Sequence, residues 1–350
     1  MFMASQVLVG LSGGVDSFVT ALLLQQRGYE VVGAHLSLWD DETPEQQEEL
    51  ERLCRHLHVP LYHVDGKEAF RQRVVEPFVH DYLHGRTPSP CCTCNGNIKW
   101  HLLRQQADRL RIPHLATGHY VRTGESEGHH YFFKGRDPQK DQSYFLWEVP
   151  EEIIAHAITP LGDYTKTEVK AIARENGFPG LAEKRESMGI CFLQGEDYRA
   201  FILRHHTATP LHSPGVIKNR QGEIIGEHGG ILHYTIGQKR EIPLQHGEPY
   251  HVIGIDASQN CLIAGPKEAL FTRKLTIHRL HLIQPGEIYA PDVELKIRGI
   301  GLNPAGYITA SPLSEGRLSM ALASPAWAPA PGQPVALYRG ERLIGGGILE

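Results

Sequence analysis

The chain has 350 residues, of which 41% are hydrophobic and 21% charged, with 36 glycines, 23 prolines and a net charge of −5. That length implies two or three domains, and the ordinary composition excludes a mainly disordered chain because several apolar cores can be buried. The acidic balance excludes a polycation that coats nucleic acid, yet leaves room for a local basic face.

No run reaches 18 apolar residues, and the start of the chain has neither a basic region nor a small-residue cleavage site, so no membrane span and no signal peptide are expected. Six cysteines are too sparse for a secreted disulfide framework, which predicts a cytoplasmic address with reduced thiols. Residues 6–11, Q-V-L-V-G-L, read as a buried strand. Residues 12–17 read as a glycine-rich turn and 18–27 as a helix stopped by Gly28. A second strand over 31–39 completes a βαβ unit, which implies a parallel sheet. Residues 40–56 read as an acidic amphipathic helix and 61–64 as a third strand. Residues 97–111 read as a helix bearing Trp100, Lys99, Arg104, Arg109 and Arg111, a candidate RNA-facing surface, and 114–120 as a buried strand. The alternation predicts a doubly wound α/β fold. Thr165 and Glu168 have capping-box spacing for a helix that Gly177 stops. Near residue 208 the pattern changes: Pro210, Pro214 and Gly215 open a series of short β runs separated by turns, as in a small barrel or sandwich. The expected domains are 1–208, 209–271 and 272–350.

Gly10, Leu11, Ser12, Gly13, Gly14, Val15, Asp16 and Ser17 lie between the first strand and helix. Two adjacent glycines let the backbone turn tightly and approach a phosphate, and the helix start offers free N–H groups and a positive dipole. Asp16 makes sense there if Mg²⁺ travels with the phosphates. The loop has no lysine, so it is not a Walker A loop, and it lacks the G-x-G-x-x-G spacing of dinucleotide sites. It resembles the PP-loop of ATP pyrophosphatases, which implies ATP as cofactor and adenylation of a carbonyl or carboxylate oxygen.

Thr87-Pro88-Ser89-Pro90-Cys91-Cys92-Thr93-Cys94-Asn95 crowds three thiols ahead of the basic helix. A thiol near that helix start, with Lys99 nearby, should ionise easily. Ser187-Met188-Gly189-Ile190-Cys191-Phe192 presents another thiol after Lys184 and Arg185, with Gly189 permitting a tight turn. Cys54 and Cys261 occupy apolar positions and read as small core residues.

Together with G-H-Y at 118–120, K-D-Q-S-Y at 140–144 and H-Y-T-I-G-Q at 233–238, these motifs resemble the tRNA-specific 2-thiouridylase family over essentially the whole chain. The resemblance implies 2-thiolation of uridine 34 in the anticodon stem-loop, a central β-rich domain and a C-terminal β-barrel that help hold tRNA, and a sulfur-relay protein as donor. It implies a persulfide on Cys191, with Cys94 as the second thiol and a transient Cys94–Cys191 disulfide. It places Leu36 and Gly118 at the nucleoside. It places Ser89, Pro90, Cys91, His119, Lys140, Asp141, Gln142, Arg298, Gly299 and Gln333 at the tRNA. The family often has an acidic residue where this chain has Cys91. That substitution leaves open a [4Fe–4S] cluster on Cys91, Cys94 and Cys191, and a C-x-x-C pair can also be a zinc or redox motif. A PP-loop synthetase acting on a small metabolite is the rival reading.

Overall fold

Apolar runs in the first half of the chain form the expected parallel strands. The computed structural model describes residues 5–40, 43–184, 189–205, 213–240, 242–243, 250–299 and 301–350. Its first strands are β1 (Gln6–Gly10), β2 (Glu30–Ser37), β3 (Leu61–Asp65) and β4 (His114–Ala116). A hairpin, β5 (Val121–Ser126) and β6 (His129–Lys134), follows, and then a short β7 (Ala157–Ile158). The sheet runs β3-β2-β1-β4-β7, with every pairing parallel. Val7, Leu8 and Val9 of central β1 are all fully buried, the continuous apolar run of a strand covered on both faces.

Helix α1 (Val15–Gln26) starts earlier than expected, so Val15, Asp16 and Ser17 form its first turn rather than the loop. Helix α2 (Pro44–Leu57) is set by a capping box between Thr43 and Gln46 with Pro44 at its first position; residues 41 and 42 of the expected helix lie outside the described residues. Its inner face, including Leu53 and Cys54, joins the core with Phe18, Leu24 and Val169. Burial pushes the Cys54 thiol up to about 11, as a core role requires. The basic helix is also longer than expected. Pro90–Cys94, a wide turn over Asn95–Lys99 and Trp100–Leu110 follow one another directly. The hairpin β5–β6 turns at Glu127 (φ 56°) and Gly128 (φ 80°), the left-handed pair that a two-residue hairpin needs.

The described residues group into two compact units. The first comprises Met1–Val74, Cys91–Met188 and Glu341–Gly345; the second comprises Val75–Pro90, Gly189–Gly340 and Gly346–Glu350. The second holds helices Glu76–Leu83 and Tyr198–His205, a four-stranded β-sheet built from His251–Asp256, Cys261–Gly265, Gly215–Lys218 and Ile224–His228, and the C-terminal β-barrel strands. Residues 229–234, G-G-I-L-H-Y, are one of the short runs that the pattern after residue 208 predicts as β. The run forms a short 3₁₀ turn, Ile231–His233, after Gly230 at φ 135°, where only glycine is comfortable. The expected boundary near 208, and Pro210 with it, lie outside the described residues.

Candidate active site

The glycine turn is fixed from both sides. Leu11 donates its N–H to the Ala34 carbonyl at 2.8 Å, and the buried His35 ring holds the Leu11 carbonyl through Nδ1 at 2.8 Å. Gly13 has φ 73°, a conformation that a side chain would strain. The Ser17 hydroxyl donates to the Gly14 carbonyl at 3.0 Å and accepts from the Ser12 N–H at 3.2 Å. Gly14 precedes α1 with no side-chain cap, so the first-turn N–H groups are presented to whatever lies in the turn.

Asp16 is the centre of a polar knot. Its carboxylate accepts from Lys166 Nζ at 2.8 Å to each oxygen and from the Tyr120 hydroxyl at 2.7 Å. Lys166 also lies 5.6 Å from the Tyr120 ring centre, and its side chain is only 11% exposed. It opens the helix Lys166–Glu175, whose start is held by the Thr165–Glu168 capping box. Tyr120 is held in turn by Gln142, whose side-chain oxygen accepts the Tyr120 N–H at 2.8 Å and whose own N–H donates to the Tyr120 carbonyl at 3.1 Å. Asp141 accepts from Gly135 N–H at 3.1 Å and from the Ser143 hydroxyl at 3.0 Å. Gly118 lies close against the first turn of α1: a Cβ there would come within 3.1 Å of Asp16 and of the Ser17 nitrogen, so a side chain would have to push that turn back by a few tenths of an ångström.

The same 140–146 segment carries the cysteine helix. Asn95 donates to the Phe145 carbonyl at 3.3 Å, and the Cys92 thiol points to the Tyr144 carbonyl at 3.8 Å. Cys94 is buried, Cys91 half-buried and Cys191 exposed. Cys94 lies inside the helical run, a full turn past Pro90, not ahead of the helix as expected. Trp100 is fully buried, which removes it as a surface for stacking bases; its ring instead lies against His119, 5.7 Å between centres and 22° apart. His119 Nδ1 is 2.8 Å from the Thr117 hydroxyl. Burial, and then Lys99, push its pKa down to about 3, so it is a neutral imidazole at physiological pH.

In the second unit, Cys191 opens a 3₁₀ turn, Cys191–Leu193, two residues after Gly189 at φ 111°. Buried Phe192 anchors it against Phe78 and Phe201, each 5.2 Å between ring centres. Arg185, Ser187 and Met188 lie outside the described residues. Arg298 donates to the carbonyls of Leu302, Trp327 and Ala328, and Gln333 closes a turn on Ala330; both brace loops of their own barrel. Leu36, on β2, pairs with Val64. Lys140 donates its N–H to Asp137, and Gly299 is half-buried.

An uncapped helix start, a left-handed glycine and a lysine on one turn suit a polyphosphate. Asp16 offers a carboxylate at this turn for an accompanying Mg²⁺. Among the described residues no group of three or more His, Cys, Asp or Glu side chains forms a metal site, and no helix is long and apolar enough to cross a membrane. Sequence reading missed Lys166 and Tyr120. Tyr120 was within reach, as the last residue of G-H-Y, while Lys166 was hidden beside a capping residue.

A parallel sheet in which S-G-G-V-D-S leads from β1 into the first turn of α1 defines a PP-loop protein of the ATP pyrophosphatase class. The tRNA methyl transferase HUP domain model matches residues 5–195, the tRNA methyl transferase PRC-barrel domain model 200–266, and the aminomethyltransferase beta-barrel domain model 272–349. The tRNA-specific 2-thiouridylase MnmA of Natranaerobius thermophilus is 39% identical over 367 residues, covering 100% of this chain and 98% of the relative. Those of Desulforamulus reducens and Acidithiobacillus ferrooxidans are 38% and 36% identical, covering 100% and 99% of this chain and 98% of each relative. The chain belongs to the tRNA-specific 2-thiouridylase family.

Proposed function

We propose that the protein 2-thiolates uridine 34 of tRNA at the expense of ATP. One observation carries this reading: the chain builds both functions the reaction needs, a glycine turn closed by Lys166 and an exposed thiol at Cys191 seated on buried Phe192. The uracil C2 oxygen is a poor leaving group. Its attack on the α-phosphorus of ATP expels pyrophosphate and leaves an adenylated oxygen. A Cys191 persulfide, loaded by a sulfur-relay protein, attacks C2 and expels AMP. Cys94 then attacks the persulfide linkage, releasing the sulfur to the base and leaving a Cys94–Cys191 disulfide for a reductant to reset. The first-turn N–H groups of α1, Ser12 and Lys166 hold the phosphates, while Leu36 and Gly118 border the nucleoside. Mg²⁺, when bound at Asp16, supplies charge neutralisation on the phosphates.

The base must leave its stack before C2 is accessible. His119 and the 140–142 segment, together with the β domains over 209–271 and 272–350, are the proposed tRNA contacts. Those β domains include Arg298, Gly299 and Gln333. The reaction places the protein in the cytoplasm with the tRNA pool.

The test is mass analysis of nucleoside 34 after incubation with ATP, unmodified tRNA and a sulfur source. The reading expects a gain equal to replacing oxygen by sulfur, pyrophosphate release that requires tRNA, and loss of the gain in Cys191→Ser. Pyrophosphate release driven by a small metabolite, with no thionucleoside, overturns it.

A further inference from the structure

Three adjacent cysteines are treated differently by the fold. Cys92 is 1% exposed and its thiol is turned to the Tyr144 carbonyl. Cys91 and Cys94 lie three apart in the helical run that begins at Pro90, and residues at that spacing share one helix face about 5–6 Å apart between Cβ atoms. Bridged cysteines keep their Cβ atoms about 3.5–4.5 Å apart, so a disulfide between these two needs the first turn to tighten by roughly an ångström or more, as a 3₁₀-like turn does. Exposure also divides them: Cys94 is 5% exposed, whereas Cys91 is half-buried and open to solvent on one side.

This asymmetry matters for the oxidised enzyme. Resting on the thiolation reading above, one turnover leaves the Cys94 sulfur in a disulfide, and the protein shields that sulfur from a bulky reductant. A neighbouring thiol on the same helix face is already in place and competes at high effective concentration.

We infer that Cys91 is a further catalytic residue, the resolving thiol that regenerates Cys191. The Cys91 thiolate attacks the Cys94 sulfur. The Cys94–Cys191 bond breaks with its electron pair on Cys191, which takes up a proton to match the one Cys91 lost. A Cys91–Cys94 disulfide forms, with no net change in oxidation state. An external dithiol then attacks at the more open Cys91, delivers two electrons and leaves as its own disulfide. Cys191 is thereby free to be reloaded with sulfur before the reductant arrives.

The experiment uses the full chain, loaded with persulfide and given ATP and tRNA without reductant. The reaction is quenched in acid, alkylated and mapped by peptide mass. The wild type should show a Cys91–Cys94 disulfide and alkylated Cys191. Cys91→Ser and Cys91→Ala should show Cys94–Cys191, and with limiting dithiol their steady-state rate should fall at least about tenfold relative to their own first-turnover rate. A Cys94–Cys191 disulfide persisting in the wild type, or an unchanged ratio of the two rates in both variants, overturns the inference. So does iron with acid-labile sulfide in anaerobically purified protein that disappears in Cys91→Ser. Absence of thionucleoside in the wild type sinks the thiolation reading instead. The pair is then judged by oxidised dithiothreitol alone, which must produce the Cys91–Cys94 disulfide, and failure there overturns the inference whatever the substrate.

Discussion

Lys166 is the residue whose role the fold reveals most sharply. Its ammonium sits on both oxygens of Asp16, at the mouth of a turn that offers N–H groups to an anion. When a polyphosphate enters, Lys166 contributes a side-chain cation at this turn. A hydrogen bond to a charged group is worth about 1.5–3 kcal/mol. Lys166→Met should therefore weaken ATP binding roughly ten- to a hundredfold, read by calorimetry on the full chain, and an unchanged affinity would reduce Lys166 to a structural partner of Asp16. His119 gives a pH prediction with a definite sign. Its pKa falls from 6.5 in the unfolded chain to about 3 in the fold, so below pH 6.5 the unfolded state binds more protons. Stability from this group is complete above 6.5 and is lost as pH falls toward 3, by at most about 1.4 kcal/mol per pH unit. Thermal melts from pH 7 to 5 should show a decline that is shallower in His119→Asn. The loop and the cysteines could be read along the chain because their chemistry is packed into a few consecutive residues. The Asp16–Lys166 pair spans 150 positions, and nothing local marks the lysine as facing an aspartate.

Elements position these groups, and their ends do most of the work. Thr165 accepts from Glu168 N–H at 3.3 Å while its own N–H donates to the Glu168 carboxylate at 2.6 Å. Arg136 grips the same carboxylate at 2.5 and 2.6 Å, and the Glu168 pKa drops to about 2, first through the Thr165 N–H and then through Arg136. Lys166 is the first residue of the helix so capped, so the cap aims the lysine. Thr165→Ala should cost about 1 kcal/mol of stability and weaken ATP binding as well, whereas Thr165→Ser should restore both, as measured by thermal melts and calorimetry. An exposed cap with no link to the turn would lose stability alone. The capping box was legible because its spacing is local. The beginnings of α1 and of the cysteine helix were not: glycines 13 and 14 and the two prolines look like loop, yet the chain enters helix at Val15 and at Pro90. Proline is at ease in a first turn where its missing N–H has no partner to lose, and that rule places Cys94 a turn inside the helix.

At the scale of the molecule, composition divides the chain differently from its contacts. Short strands follow one another from Gly215 onward, but Glu341–Gly345, near the far end of the sequence, belong with the first unit. Leu343 pairs with Phe132 of β6, and Arg342 with Phe133. Lys134 donates its N–H to the Glu341 carbonyl at 2.8 Å, Arg122 meets the Glu341 carboxylate at 2.6 Å, and Arg342 donates to Ser126 at 2.6 Å. The hairpin β5–β6 is thus a three-stranded patch only when the chain's last strand is present, and an isolated two-stranded hairpin is marginal in water. No windowed reading of the sequence finds this, because the pairing joins segments more than 200 residues apart. A chain ended at residue 271, where composition suggests a clean cut, should expose Phe132, which is otherwise fully buried. That hairpin leads directly from Tyr120, so loosening it should also slacken the grip on Asp16. The truncated chain is expected to be cleaved by protease within 121–134 and to bind ATP more weakly than the full chain. Adding residues 341–345 back through a short flexible linker should recover part of both, since the linker restores the third strand at high effective concentration. Protection of 121–134 in the truncated chain equal to that in the full one would show that the hairpin stands without its distant partner.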